Sequence, residues 1–252
     1  MIQYAAVGAV ARITLNRPEK RNALNTEMLA ALREALQRAA DDPTVRVLLI
    51  QGAGVDFCAG LDLTEVLKFA EDAAGTLASA RRLGELYIAM RRHPKPIVAA
   101  VQGRALGGGA GLATASDLIL AAESAQIGYP EVNIGFIPAI VTAMLRRAVG
   151  ERQAFELAVG GEPIRARQAQ AIGLINRVYP DAEFESAVDQ YVFALAQKSA
   201  TAMSLAKNLL YEMDGMSFEA AIAAGAQANA RARSTDDFKA GVERFLRARK
   251  SQ

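Results

Sequence analysis

Residues Ile97–Pro138 read IVAAVQGRALGGGAGLATASDLILAAESAQIGYPEVNIGFIP, and this stretch decides how the rest of the chain is read. An apolar, strand-like run (Ile97–Val101) stops at Gly103. Three consecutive glycines, Gly107, Gly108 and Gly109, then open a segment of helical composition, and a carboxylate, Glu131, follows about one supersecondary unit later. Glycines ahead of a helix let backbone N–H groups approach a ligand closely, and the helix dipole favours negative charge there. The pattern suits an oxyanion site with an acid/base nearby. The same glycines also read as tight turns that permit close helix packing, and spacing alone does not separate the two.

Phosphate-loop chemistry does not fit. GRALGGGAG is not followed by Lys-Ser/Thr, and its spacing misses the G-x-G-x-x-G fingerprint. A second glycine-bearing loop, Phe57-Cys58-Ala59-Gly60-Leu61-Asp62-Leu63, follows the strand-like run Val45–Gln51. If the strands before the two loops are parallel neighbours, both loops leave one sheet edge, and their N–H groups can converge on one carbonyl oxygen. Losing a single such donor costs roughly 3–4 kcal/mol in known oxyanion holes.

Composition bounds the alternatives. The chain has 252 residues, 52% hydrophobic and 22% charged, with 29 basic against 27 acidic side chains. Such balance leaves no nucleic-acid footprint. With one cysteine and one histidine, a structural zinc site and an intrachain disulfide are excluded. No 18-residue apolar run and no signal-peptide pattern appear, so the expectation is a cytoplasmic protein with no membrane partner.

Strand signals at Val10–Leu15, Val45–Gln51, Ile97–Val101, Leu118–Ala121 and Gln126–Gly128 alternate with helical ones at Thr26–Ala40 and Ala70–Arg91. Thr26 reads as the N-cap of the first helix, and Glu71–Thr76 as a loose opening of the second. Alternation of this kind implies crossovers and largely parallel pairing. From Ala139 the pattern is almost wholly helical. The chain is therefore expected to divide into a core (1–199) and a helical module (200–252) whose apolar faces, including Phe218, Ile222, Phe238 and Phe245, need covering. His93 is expected on a surface loop, Cys58 in packing, Asp62 and Asp117 in turns or caps, and Lys207 and Lys239 on solvated helix faces.

LNRPEKRNALN (Leu15–Asn25), FCAGLDL (Phe57–Leu63), Pro94–Pro138 and AIGLINRV (Ala171–Val178) together resemble the crotonase (enoyl-CoA hydratase/isomerase) superfamily over nearly the whole chain. The resemblance implies an α/β fold, a crotonase-like spiral of ββα units with a C-terminal helical trimerisation module, assembled as a homotrimer or a dimer of trimers. It implies an acyl-CoA thioester substrate, with CoA present only as part of that substrate and no separate cofactor. Carried over by motif, the oxyanion donors are the N–H groups of Leu61 and Gly108, and Glu131 is the acid/base. Arg21, Ala23, Ala59 and Leu63 border the CoA path, and Gly111 lies on the substrate side. The chain departs from two-glutamate hydratases at Gly111, where they carry their first glutamate, and after Pro138, where Ala139-Ile140-Val141-Thr142 replaces a glycine-rich loop. Three readings stay open: a hydratase of 2-enoyl-CoA, a 3-enoyl to 2-enoyl isomerase using Glu131 as its single shuttle, and a non-catalytic acyl-CoA binder.

Overall fold

The computed structural model describes residues 1–68 and 71–250. The N-terminus forms a hairpin of β1 (Ile2–Val7) and β2 (Val10–Leu15), turning at Gly8 with positive φ. Helix α1 (Thr26–Asp41) follows, and its buried Met28, Leu29, Leu32, Ala35, Leu36 and Ala39 recur at helical spacing. Its N-cap is Asn25 rather than the expected Thr26. Asn25 is extended, and its side-chain oxygen accepts the Met28 N–H at 2.9 Å.

The remaining strands are β3 (Val47–Gly52), β4 (Ile97–Val101), β5 (Arg104–Leu106), β6 (Leu118–Ala122), β7 (Gln126–Gly128), β8 (Ile164–Arg165) and β9 (Arg177–Tyr179). They build a six-stranded sheet ordered β1-β2-β3-β4-β6-β9, parallel except for the opening hairpin, and a three-stranded sheet ordered β5-β7-β8. Consecutive passes of the chain feed both sheets: β4 then β5, β6 then β7. An earlier pass follows the same course, since Cys58, after β3, bridges Ala105 of β5 in parallel. This is the spiral of ββα units that the resemblance implied. The strands β3 and β4 are buried almost throughout, as their near-continuous Val/Ile/Leu/Ala composition requires when helices cover both faces.

The further described helices between the strands are α2 (Leu63–Lys68), α3 (Ala73–Arg92) and α4 (Gly108–Ala115), then α5 (Ala139–Ala148), α6 (Glu151–Gly160) and α7 (Ala166–Ala171), and α8 (Phe184–Ala196) follows the last strand. Helix α3 begins at Ala73, capped by Asp72, so much of the segment expected to be loose is helical, and Ala70 lies outside the described residues. The short strands β5, β8 and β9, the hairpin strand β1 and helix α2 lacked a periodic signal long enough to read. The chain ends in α9 (Ala200–Glu212), α10 (Phe218–Ser234) and α11 (Asp236–Lys250). Their apolar residues Phe218, Ile222, Phe238, Phe245 and Leu246 stay exposed in the single chain.

His93 is not on the surface: it is 5% exposed. Its Nε2 lies 3.1 Å from the Leu36 carbonyl oxygen, and its Nδ1 lies 3.1 Å from both the nitrogen and the carbonyl oxygen of Lys95, so the ring links α1 to the start of β4 through main-chain groups. Burial, with Lys207 and Lys95 nearby, holds its pKa below the usual 6.5. A depressed histidine contributes stability that is present above its unfolded value and lost as pH falls through the folded one. Thermal stability should therefore decline as pH drops below about 6.5, and His93→Gln should flatten that decline. Melting curves from pH 8 to 5 check this; equal slopes in both proteins would refute it.

Candidate active site

The glycine turn and the Phe57–Leu63 loop meet, as parallel neighbouring strands require. Leu106 N–H donates to the Cys58 carbonyl and Cys58 N–H to the Arg104 carbonyl, so β5 runs alongside the loop. Asp56 locks the pair: its carboxylate accepts Nε and Nη2 of Arg104 at 3.0 and 2.9 Å and the Arg104 N–H at 3.0 Å. Those bonds hold the Asp56 carboxyl below the usual range against the opposing effect of its burial. The result brings the Leu61 and Gly108 backbones together: a Cβ built on Gly108 would lie 3.6 Å from the Leu61 nitrogen.

Gly108 opens α4, so its N–H is one of the first-turn donors that a helix leaves without an intrahelical acceptor. The neighbouring Gly107 N–H goes to Gly128 and the Asp62 N–H to Leu24. Gly107 takes φ +51, a conformation that favours glycine, and a Cβ there would meet Glu131 Oε1 at 3.1 Å. Gly109 lies so close to Cys58 that a Cβ would fall 2.3 Å from the Cys58 carbonyl oxygen.

Glu131 arrives from the second sheet. Leu106 of β5 registers with Gly128 of β7, and the chain turns at Pro130 into a 3-10 segment, Pro130–Ile134, that carries the carboxylate over Gly107. Among the described residues Oε2 is buried without a hydrogen-bond partner, and desolvation pushes the carboxyl pKa upward. A carboxylate left this way is poised to hold or move a proton.

Leu61, Gly107, Gly108, Glu131 and Tyr87 line one pocket of about 140 Å³ that is open on one side, together with Val66, Thr76, Ser79, Leu83, Phe136, Pro138, Ile140 and Val141. It is the site where the three expected catalytic positions converge. Arg21, Ala23 and Ala59 lie together behind the Leu61 loop: the Ala59 N–H donates to the Arg21 carbonyl at 2.9 Å, and Leu24 bridges Leu61. Leu63, half exposed, starts α2 beside them. Arg21 has positive φ, and the buried Asn22 beside it donates to the Ala53 and Asp56 carbonyls, pinning that turn. Asp62 does act as a cap, accepting the Thr64 N–H and pairing with Arg17 at 2.8 Å. Cys58 is fully buried with its thiol pushed up to about 12, so it is packing rather than a nucleophile.

The acyl end departs from the expectation in one respect. Gly111 does not line the cavity, because the Tyr87 phenol lies over it; a Cβ on Gly111 would meet that oxygen at 2.3 Å. Tyr87 is 3% exposed, and burial holds its phenol well above the usual range, hence neutral. Sequence reading took Ala70–Arg91 only as a helix. The signal that could have found Tyr87 is indirect: a glycine inside a helix marks a close approach by something else. Lys207, expected on a solvated face, is buried and bonded to Asp117; Lys239 does lie on an exposed face, with Asp236 at 3.8 Å.

The fold is shared with solved enoyl-CoA hydratases. One from Mycobacterium smegmatis superposes with a TM-score of 0.93 at 31% identity, covering 98% of this chain and 96% of that one. One from Bacillus anthracis gives 0.92 at 29%, over 98% and 96%. Among curated relatives, a Thermus thermophilus protein provisionally named an enoyl-CoA hydratase is 40% identical over 96% of both chains. The 2,3-dehydroadipyl-CoA hydratase of Escherichia coli is 37% identical over 94% of this chain and 92% of its own. The family model for enoyl-CoA hydratase/isomerase matches residues 5–252, and the chain belongs to that family.

Proposed function

We propose that this chain is an enoyl-CoA hydratase that adds water across the double bond of a 2-enoyl-CoA. The observation that carries the reading is Glu131: a buried, unbonded carboxylate oxygen beside the Leu61 and Gly108 N–H groups on one apolar cavity. The thioester carbonyl accepts those two N–H groups. Glu131 takes a proton from water as the water oxygen bonds to C3, and the C=C electron pair moves onto the carbonyl to give the enolate. The enolate then collapses as Glu131 returns the proton to C2. Arg21, Ala23, Ala59 and Leu63 border the path of the CoA moiety, with Gly111 behind the acyl end. No metal is needed for these steps, and among the described residues no group of three ligating side chains gathers. The exposed apolar faces of α10 and α11 support assembly as a homotrimer or a dimer of trimers.

A second reading is favoured by the single carboxylate. With Gly111 in place of a glutamate, Glu131 can instead remove a C2 proton from a 3-enoyl-CoA and return it at C4, giving the conjugated 2-enoyl thioester. An absorbance assay with crotonyl-CoA and a 3-enoyl-CoA decides. Loss of conjugated absorbance with crotonyl-CoA supports the hydratase, a rise with the 3-enoyl substrate alone supports the isomerase, and silence with both refutes the two.

The lining also sets a preference. Among the described residues it carries no Lys, Arg or His, so a carboxylate on the far end of the acyl chain would be buried unpaired. Turnover of a carboxyl-terminated 2-enoyl-CoA should fall at least about tenfold below that of crotonyl-CoA in kcat/KM. Comparable values would refute the apolar acyl site.

A further inference from the structure

We propose that Tyr87 is a positioning residue of this site, its hydroxyl holding the glycine turn so that the Gly108 N–H faces the thioester oxygen. The inference rests on the acyl-CoA reading of the cavity. Three successive glycines have the greatest backbone freedom of any tripeptide, so where they open α4 their orientation depends on the contacts made around them as well as on the helix itself. Gly107 is held by its N–H to Gly128 and its carbonyl to the Gly111 N–H, at 2.9 and 2.8 Å. Gly109 is held by its contact with Cys58. Gly108, the residue whose N–H is the donor, is held by the Tyr87 hydroxyl, which donates to its carbonyl at 2.7 Å. The N–H and the carbonyl flank one Cα, so fixing the carbonyl restricts rotation of the donor.

The same phenol accounts for Gly111. A Cβ at 111 would sit 2.3 Å from the Tyr87 oxygen and 2.9 Å from Cζ, and would drive the hydroxyl off Gly108. Position 111 is thus glycine because α3 lends a phenol to α4, and the site trades a second carboxylate for a fixed donor. The two residues act as one unit, and their substitutions should not add.

Tyr87→Phe keeps the ring and removes the bond. A neutral hydrogen bond of this kind predicts a fall in kcat of about 3- to 10-fold with KM changed by less than about twofold. The decisive readout is the carbonyl stretch of bound, isotope-labelled butyryl-CoA by difference infrared spectroscopy. Wild-type protein should shift the stretch to lower frequency, Tyr87→Phe should shift it less, and Gly111→Ala should match Tyr87→Phe, with no further loss of carbonyl shift in the double variant even where the remaining 2.9 Å approach to Cζ lowers its Tm. An unaltered shift in Tyr87→Phe overturns the proposal, as does a fall in Tm and rise in KM that track kcat while the shift is kept. Additive losses in the double variant overturn it too. If wild-type protein neither binds butyryl-CoA nor shifts its carbonyl, the acyl-CoA reading itself fails, which is a separate result.

Discussion

Glu131→Gln should lower kcat for an enoyl-CoA substrate by about a thousandfold while leaving the Kd for a saturated acyl-CoA within about threefold. The amide fits where the carboxylate sits but neither accepts a proton from water nor returns one to C2. In the proposed mechanism ligand affinity rests mainly on the apolar lining and the two N–H donors, which the substitution leaves in place. A pH profile gives a second check. Desolvation raises the Glu131 carboxyl above its usual 4.5, so the acid limb of kcat/KM should be displaced upward from where an exposed glutamate would put it. Stability should move the other way from activity. A carboxyl with a raised folded pKa favours folding most when protonated, and that contribution is lost as pH rises through the raised value. The Gln variant should therefore melt at or above the wild-type temperature at pH 8, with the difference shrinking toward pH 5. Full turnover by the variant would remove Glu131 from the chemistry, and a large loss of acyl-CoA binding would make it a structural residue.

What the sequence disclosed and what it hid divide along physical lines. The buried strands β3, β4 and β6 are largely apolar runs, β2 is an apolar run broken only by Arg12 and Thr14, and the amphipathic α1 repeats at helical spacing, so these were legible. Glu131 and the glycine turn were legible because they lie within one motif of local chain. The three-residue strands β5 and β9 owe their conformation to register with neighbours rather than to their own composition, and no periodicity marks them. Tyr87 and Gly111 are 24 positions apart and joined only by tertiary packing. His93 looked like a solvated loop residue because its partners, the Leu36 carbonyl and the Lys95 N–H, are backbone groups that carry no sequence signature. Polar side chains satisfied by main chain can be buried at small cost, and composition does not reveal them.

Lys207 is the extreme case, and removing it should have the largest effect on stability of any single polar residue discussed. It is the one buried residue of α9, while Leu210 on the same helix is exposed. Its Nζ donates to the Asp117 carboxylate at 2.7 Å and to the carbonyls of Met90 and Lys95 at 3.0 and 3.2 Å, which satisfies all three ammonium hydrogens. Asp117 completes the network by accepting the Tyr211 hydroxyl at 2.6 Å and the Ile97 N–H at 2.7 Å. The cluster ties α9 to the end of α3 and the start of β4. Lys207→Met would leave the half-buried Asp117 carboxylate without its cation and two carbonyls without their donor. Breaking a buried pair from one side costs about 3–5 kcal/mol, which for a chain of this size is a fall in Tm of roughly 6–20 °C. Asp117→Asn should cost less, because the amide oxygen can still accept from Lys207. In a double-mutant cycle the two losses should fall short of additive by at least about 1 kcal/mol. Additive losses would show that the two residues stabilise the docking of α9 independently, and an unchanged Tm in Lys207→Met would show that the ammonium does not hold the helix at all.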